Sequence, residues 1–384
     1  MKYVKVKDLG QIVTGNTPPT SDMSNYGNYM PFIKATDIIL GSRYTYVTEQ
    51  GYSEKSYKKY KANIVPKGST CIVTIGSIGK KITQAHTDLF VNQAINAILP
   101  YKQYDKDYIY YATKYVVLPQ LKIYDSGTTS GRENISKSSF SNIRLYVEED
   151  FSTQQKIASI LSAYDYLIEN NTRRIRLLEQ MAENLYKEWF VRFRFPEHEN
   201  VEMVNGLPKG WKVEKIKECV KRLPFGRTYK AKELSQDGEV IVIDQSTSDF
   251  LGFHNNTPDH HATFNSPIIL FGDHSCKFCL MTRNFSLGEN IIPFISKDTK
   301  QIDNYYLYFA THKLIVTEEY KRHWGRLSSM KILIPTIDIQ QKFNKLIIKN
   351  EKMKKLLFIQ NQLLTRQRDL LLPRLMSGKL EVKS

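Results

Sequence analysis

Cysteine is scarce in this chain, with four in 384 residues. Disulfide-framed secreted modules need a far denser cysteine pattern, so that class is excluded. Long apolar runs are missing too: nothing approaches the roughly 18 consecutive apolar residues of a spanning helix. The opening MKYVKVKDLGQIV lacks the apolar segment of a signal peptide. These absences predict a reducing, cytoplasmic setting and no membrane role. Acidic residues are in deficit as well. With 55 Lys plus Arg against 39 Asp plus Glu, the formal net charge is +16. That excess points to a polyanionic partner; a basic surface without a specific partner is the alternative reading.

What is present is periodicity. Apolar and aromatic contents of 41% and 12% are those of a folded chain, and the length allows two or three domains. From Ser152 to Phe190 no Pro or Gly intervenes, and Ile157, Ile160, Leu161, Tyr164, Leu167 and Ile168 recur at three- and four-residue spacing. Ile175, Leu178, Met181, Ala182, Leu185 and Trp189 continue the stripe. Ser152 with Gln155 has the form of a capping box at the helix start. A second such run follows Asp338, itself a candidate cap. At one common offset Gln154-Gln155-Lys156 recurs as Gln340-Gln341-Lys342, Leu177-Leu178 as Leu363-Leu364, and Leu185 as Leu371. A duplicated long helix with one apolar seam predicts an antiparallel coiled coil. Its seam is expected at Ile157, Leu161, Tyr164, Ile168, Ile175, Leu178 and Leu185, facing Phe343, Ile347, Leu357, Leu364 and Leu371. Leu177, Met181, Leu363 and Leu370 belong to the same stripes, and the sequence does not say which of them face outward. The polar stretch Glu169 to Arg174 sets the helical register or is a solvated face.

The segments between the helices repeat too. Val6, Leu9, Ile12 and Val13 match Val213, Ile216, Cys219 and Val220 at one offset, and Ile75-Gly76 and Ile95 match Phe271-Gly272 and Ile291 at another. Short β-rich runs alternate with turns in both segments. The expected fold is α+β: two mixed α/β domains separated by two long helices, with a pseudo-twofold internal repeat. The boundaries predicted are 1–150 for the first globular domain, 151–196 for the first helix, 197–337 for a linker and the second globular domain, and 338–384 for the second helix and tail.

The chain resembles the DNA-specificity (S) subunit of a type I restriction–modification system. The resemblance is carried by Thr14-Gly-Asn-Thr-Pro18, Gly76-Ser-Ile-Gly-Lys80, Gln154-Gln-Lys156, Gly272-Asp-His274, Gln340-Gln-Lys342 and Leu372-Pro-Arg-Leu375 in that order. It implies two target-recognition domains, each reading one half of a bipartite double-stranded DNA site, and a coiled coil that sets the gap. It further implies two methyltransferase subunits docked on the helices and a motor-nuclease subunit for restriction. No cofactor is expected in this chain; S-adenosylmethionine would belong to the methyltransferase partner. A targeting subunit of a type IIB-like system shares the architecture and stays open.

Reading bases takes Arg or Lys for guanine and Asn or Gln for adenine. The loop residues expected to do so in the first domain are Asn16, Thr17, Lys34, Arg43, Ser77, Lys80, Lys81, Asn92, Gln93, Thr128, Thr129, Ser130 and Arg132. In the second they are Arg227, Tyr229, Lys230, Gln245, Ser246, His274, Lys277, Arg283, Asn284, Arg322, His323 and Arg326. The other reading of each is a solvated surface residue, and most contacts of such sets go to phosphate.

Catalytic signals are weak. Asn16-Thr-Pro-Pro19 departs from the N-P-P-aromatic motif of adenine methyltransferases, and Gly76 to Lys81 lacks phosphate-loop spacing. Cys276-x-x-Cys279 has no second pair, so a buried thiol is expected instead of zinc. Two rival classes remain from the residues alone: a metal-dependent endonuclease with an unrecognised motif, which would cleave without a partner, and a single-strand or RNA binder using its 24 Tyr and 18 Phe as stacking platforms. Neither explains the duplicated helix.

Overall fold

The computed structural model describes residues 1–126, 133–246, 248–316 and 322–382. Its contacts divide the chain into two units, Met1–Thr172 with Ile359–Ser384, and Arg173–Phe358. Each unit therefore holds one globular segment and a part of each long helix.

In the first unit, β1 (Lys2–Lys5) pairs antiparallel with β9 (Arg144–Val147), which joins the two ends of the globular segment. A four-stranded antiparallel sheet has the order β2 (Gly10–Thr14), β8 (Ile95–Pro100), β5 (Thr70–Val73), β6 (Ile82–Gln84). β5 is buried along its whole length, which is why Thr70-Cys-Ile-Val73 reads as a continuous apolar run and not as an alternating one. A three-stranded sheet has the order β4 (Gln50–Tyr52), β3 (Tyr26–Ile33), β7 (Phe90–Val91), with β3 and β7 parallel.

The second unit begins with the hairpin β10 (Met203–Val204) and β11 (Leu207–Pro208). Asn205 and Gly206 turn it with φ of 52° and 80°, the left-handed pair that a two-residue hairpin requires. β12 (Lys212–Lys215) then pairs with β20 (Lys331–Ile334) as β1 does with β9. The four-stranded sheet is β13 (Val220–Arg222), β19 (Ile291–Ser296), β16 (Ile268–Gly272), β17 (Phe278–Met281). The three-stranded sheet is β15 (Gly252–His254), β14 (Val240–Ile243), β18 (Phe285–Leu287), again with one parallel pair, β14 with β18. The two units share one topology, so the weak sequence repeat is a fold repeat.

The long helices run Phe151–Tyr186 and Ile337–Met376, 36 and 40 residues, about 54 and 60 Å at the usual rise. Their capping residues differ from expectation. Asp150 caps the first, accepting from the Thr153 amide at 2.8 Å, because a carboxylate reaches the exposed N–H groups better than a hydroxyl one turn further in. Ser152 lies inside the helix, and so does Asp338, since the second helix begins at Ile337.

The repeated glutamines explain themselves in the packing. Gln154 is fully buried; its Oε1 accepts from the Asp105 amide and its Nε2 donates to the Glu148 carbonyl, both at 2.8 Å. Gln340 does the same with Asp303 at 2.8 Å and Pro335 at 2.8 Å. Each glutamine fastens its long helix to the N-terminus of a short tyrosine-rich helix, Lys106–Ala112 or Asn304–Thr311. Those short helices are buried almost throughout, and their tyrosines keep polar handles paired: the Tyr108 hydroxyl accepts from the Glu148 amide at 2.8 Å.

Within the first unit the two long helices run antiparallel. Asp165 pairs with Arg368, and Asn171 Nδ2 donates to Gln360 at 3.0 Å. Ile157 and Leu161 are buried, and Tyr164, Ile168, Leu364 and Leu371 half-buried. In the second unit Lys354 pairs with Glu179 at 3.1 Å. There Phe343, Ile347 and Leu357 are buried, with Ile175, Leu178 and Leu185 half-buried. Leu177, Met181, Leu363 and Leu370 face outward, 45–63% exposed. Trp189 and Phe190 are core residues of the second unit, packed in tilted and edge-on contacts against Phe343, Tyr306 and Trp211. Among the described residues no helix is long and apolar enough to cross a membrane, and no group of three or more His, Cys, Asp or Glu could hold a metal.

Candidate nucleic-acid interface

The topology gathers loops at one end of each four-stranded sheet. In the first unit β2 leads out at Thr14, β5 at Val73, and β8 enters at Ile95, all three at the same edge. The loops there interlock through their backbones. The Gly15 amide donates to Ile95 O at 3.1 Å, Asn16 to Val91 O at 3.0 Å, and Thr74 to Ala94 O at 2.8 Å. The Thr17 hydroxyl donates to Gln93, and the Tyr52 hydroxyl supports Asn16 O at 2.7 Å. Asn16, Thr17, Asn92 and Gln93 thus stand together. Ser77 and Lys80 are exposed on the neighbouring loop, where Ile78 N donates to the Glu133 carboxylate at 3.2 Å. Lys81 donates to Ala35 O at 2.7 Å beside Lys34, which pairs with Glu49. Thr128, Thr129, Ser130 and Arg132 lie outside the described residues.

Gly15 is there because the loops leave no room for a side chain. A Cβ would lie 2.2 Å from both Val91 O and Asn92 O. Gly15→Ala is therefore expected to push the two loops apart at a cost of about 1–3 kcal/mol. Hydrogen exchange should show lost protection at the amides of residues 15 and 16. Retained protection would mean that the approach is not tight.

Arg43 is not at this edge. It is buried, and its guanidinium pairs with Asp107 at 2.7 Å while donating to Gln84 at 2.8 Å and to Ser162 at 2.7 Å. The sequence reading of Arg43 as a DNA contact is corrected: an interior arginine held by Asp107, Gln84 and Ser162 presents no face to bases. It ties the globular segment to the first long helix.

In the second unit the equivalent edge carries loops after β14 and β16. His274 N donates to Gln245 Oε1 at 3.2 Å, Lys277 Nζ to Asp244 O at 3.2 Å, and Ser246 to Asp244 Oδ1 at 2.6 Å. Asp273 accepts from the amides of His323 and Trp324 at 3.1 and 2.8 Å, which starts the short helix Trp324–Ser329. Gln245, Ser246, His274 and Lys277 thus share one loop cluster, with exposed Arg322 on the segment beside it; Arg326 is exposed on the helix itself. His323 is fully buried, so its side chain belongs to the support of this edge and its expected contact with DNA is withdrawn.

Three further residues lie on the loop after β13, the counterpart of the loop after β2: Tyr229 N donates to Leu287 O at 3.0 Å as Asn16 N does to Val91 O. Arg227 lies over the Tyr229 ring at 4.7 Å and pairs with Glu233 at 2.9 Å. Tyr229 itself is buried, stacked on His254 at 4.2 Å; it positions Arg227 and presents no face to a base. Burial lowers the His254 pKa, and its Nδ1 accepts from Asn256 N at 3.1 Å, so the ring under Tyr229 is uncharged at neutral pH. Lys230 is exposed. Arg283 and Asn284 are in the β17–β18 turn, beside Met281, which pairs with Ile268. That is the opposite end of β16 from Gly272, so the structure does not bring them to the loop cluster.

Asp259 and His260 serve the fold: Asp259 accepts from Arg227 N at 3.2 Å and His260 stacks on Phe285 at 4.8 Å. Cys279 lies in β17, where burial raises its thiol pKa. Asp244, Asp273 and Glu133 are the acceptors that shape the loops, a role without a sequence signal because their partners are backbone and hydroxyl groups of the loops themselves.

Residues 1–180 match the sequence profile of the type I restriction modification DNA specificity domain. The type I restriction enzyme MjaIX specificity subunit of Methanocaldococcus jannaschii is 27% identical, over 99% of this chain and 93% of its own. The HindI specificity subunit of Haemophilus influenzae is 30% identical over 45% of this chain and 38% of its own. Among solved structures, the type I restriction–modification S subunit of M. genitalium superposes with a TM-score of 0.60 at 16% identity, covering 100% of this chain and 96% of that one, which supports the fold. A duplicated sheet architecture joined by a duplicated long helix is thus accompanied by sequence similarity along nearly the whole chain, and the chain is similar to the DNA specificity subunits of type I restriction–modification systems.

Proposed function

We propose that the chain reads a bipartite double-stranded DNA target, one half by the loop cluster of each unit, with the paired long helices setting the gap. The carrying observation is the repeated topology: both units present polar loops at the same edge of the same sheet. Asn16, Asn92 and Gln93 in one cluster, and Gln245 in the other, are the amides suited to adenine; Lys80, Lys277 and Arg322 carry the positive charge suited to guanine or phosphate. The chain recognises and does not catalyse. Two methyltransferase subunits, which bring the S-adenosylmethionine, dock on the helices, and a motor-nuclease subunit joins them for restriction on cytoplasmic DNA. The outward Leu177 and Met181 in one unit, and Leu363 and Leu370 in the other, are exposed apolar side chains and suit such docking.

The test is a methylome. The chain is expressed with its cognate methyltransferase in a methylation-free host, beside controls lacking each component, and modified adenine is mapped. A two-part motif seen only with both present is the expected result. No modified motif, with both proteins made, would sink the reading.

A further inference from the structure

The second long helix carries a feature that its repeat partner lacks. Lys342, Lys345, Lys349, Lys352 and Lys355 recur at three- and four-residue spacing and are all exposed, so they form one basic face. At the repeat offset the first helix has Lys156, Ser159, Ala163, Tyr166 and Glu169. The stripe thus arose in one copy only. Between Ile339 and Phe358 the sole carboxylate is Glu351. It is engaged by Lys354 at 3.1 Å, which also pairs with Glu179 at 3.1 Å. Lys342 has a partner in Glu197 at 3.5 Å, whereas Lys345 and Lys349 have no ion pair among the described residues. Lys352 and Lys355 lie over a single ring, Phe264, at 5.8 and 5.3 Å. The Phe264 carbonyl is in turn fixed by the Tyr305 hydroxyl at 2.8 Å. Two like charges held on one ring repel each other, and a polyanion laid along the face would replace the monovalent counterions that otherwise screen it.

We propose that this face binds the phosphate backbone of duplex DNA, independently of base sequence and outside the loop clusters. From Lys342 to Lys355 the face extends for about 20 Å, the axial run of roughly six phosphates on one strand. Lysine suits the task, being a mobile point charge and not a planar fork that reads base edges. The inference rests on duplex DNA as the target and gives the second half of the chain a contact that the first half lacks.

The test uses the full chain and a duplex of arbitrary sequence, with binding followed by fluorescence anisotropy across a salt series. In the triple variant Lys345→Ala, Lys349→Ala, Lys352→Ala, alanine preserves the helix. Each phosphate contact contributes about 0.9 to the slope of log affinity against log salt. The slope should therefore flatten by about 2–3, the methylated motif should stay the same, and arginine at the three positions should restore the slope. An unaltered slope would make the stripe a solvated face. An unaltered slope with loss of methyltransferase co-purification would make it a protein-docking surface. Either result overturns the proposal, whereas a wild-type chain that binds no duplex would overturn the proposed function itself.

Discussion

Arg368→Ala is expected to destabilise the first unit by about 3–5 kcal/mol, the usual cost of removing one partner from a buried ion pair. Arg368 and Asp165 keep only 3% and 5% of their side-chain surface exposed. Asp165 also accepts from the Tyr111 hydroxyl at 2.5 Å. Burial, with the nearby Asp165 charge, holds the Tyr111 pKa well above its ordinary value, so the hydroxyl remains a donor at every pH of interest. Without Arg368 the carboxylate is left in the interior with only part of its compensation. The second unit shows another solution. At the repeat positions it places Ala182 for Arg368, Phe309 for Tyr111 and Glu351 for Asp165; Glu351 takes its cation from Lys354 at 3.1 Å, and Tyr186, Phe190, Phe309 and Phe343 pack together. An apolar triple, Asp165→Leu, Tyr111→Phe and Arg368→Met, should therefore recover most of the loss. The readout is the shift of the denaturant midpoint for the single and the triple variant. An unchanged midpoint for Arg368→Ala would show that water reaches the pair.

The long helices, their antiparallel pairing and the internal repeat were legible in the sequence, because a 3.6-residue apolar period sustained over ten turns has few other solutions. The repeated Gln-Gln-Lys was visible as a repeat, but not as a clasp, since Asp105 and Asp303 lie far from it in sequence. Arg43 shows the limit more sharply. A lone arginine among Gly, Ser and Tyr reads as a surface loop residue, yet its partners Gln84, Asp107 and Ser162 arrive from distant segments and bury it. Tyr229 and His323 are buried by distant segments in the same way. Arg283 and Asn284 differ: their chemistry is suitable, but strand direction places them at the opposite end of β16 from Gly272. Periodicity reports which face of an element is apolar, and it does not report where charged side chains converge.

Exchanging residues 1–150 for the globular domain of another specificity subunit is expected to change one half of the methylated motif and leave the other half intact. That cut separates groups that hold the first unit together. Arg43 donates to Ser162, Tyr111 to Asp165, and Gln154 accepts from Asp105, and each of these bonds crosses the junction. An incoming domain without counterparts of Arg43, Asp107 and Tyr111 would leave Asp165 with Arg368 alone and Ser162 without its partner. Such a chimaera should assemble poorly and modify little DNA. Restoring the three residues, or carrying the exchange through Thr172 together with residues 359–384, should return modification with a motif new in one half only. The comparison separates support from reading: if the restored chimaera still modifies the original motif in both halves, the first loop cluster does not read DNA. Bases changed in both halves would show that the two units do not read independently.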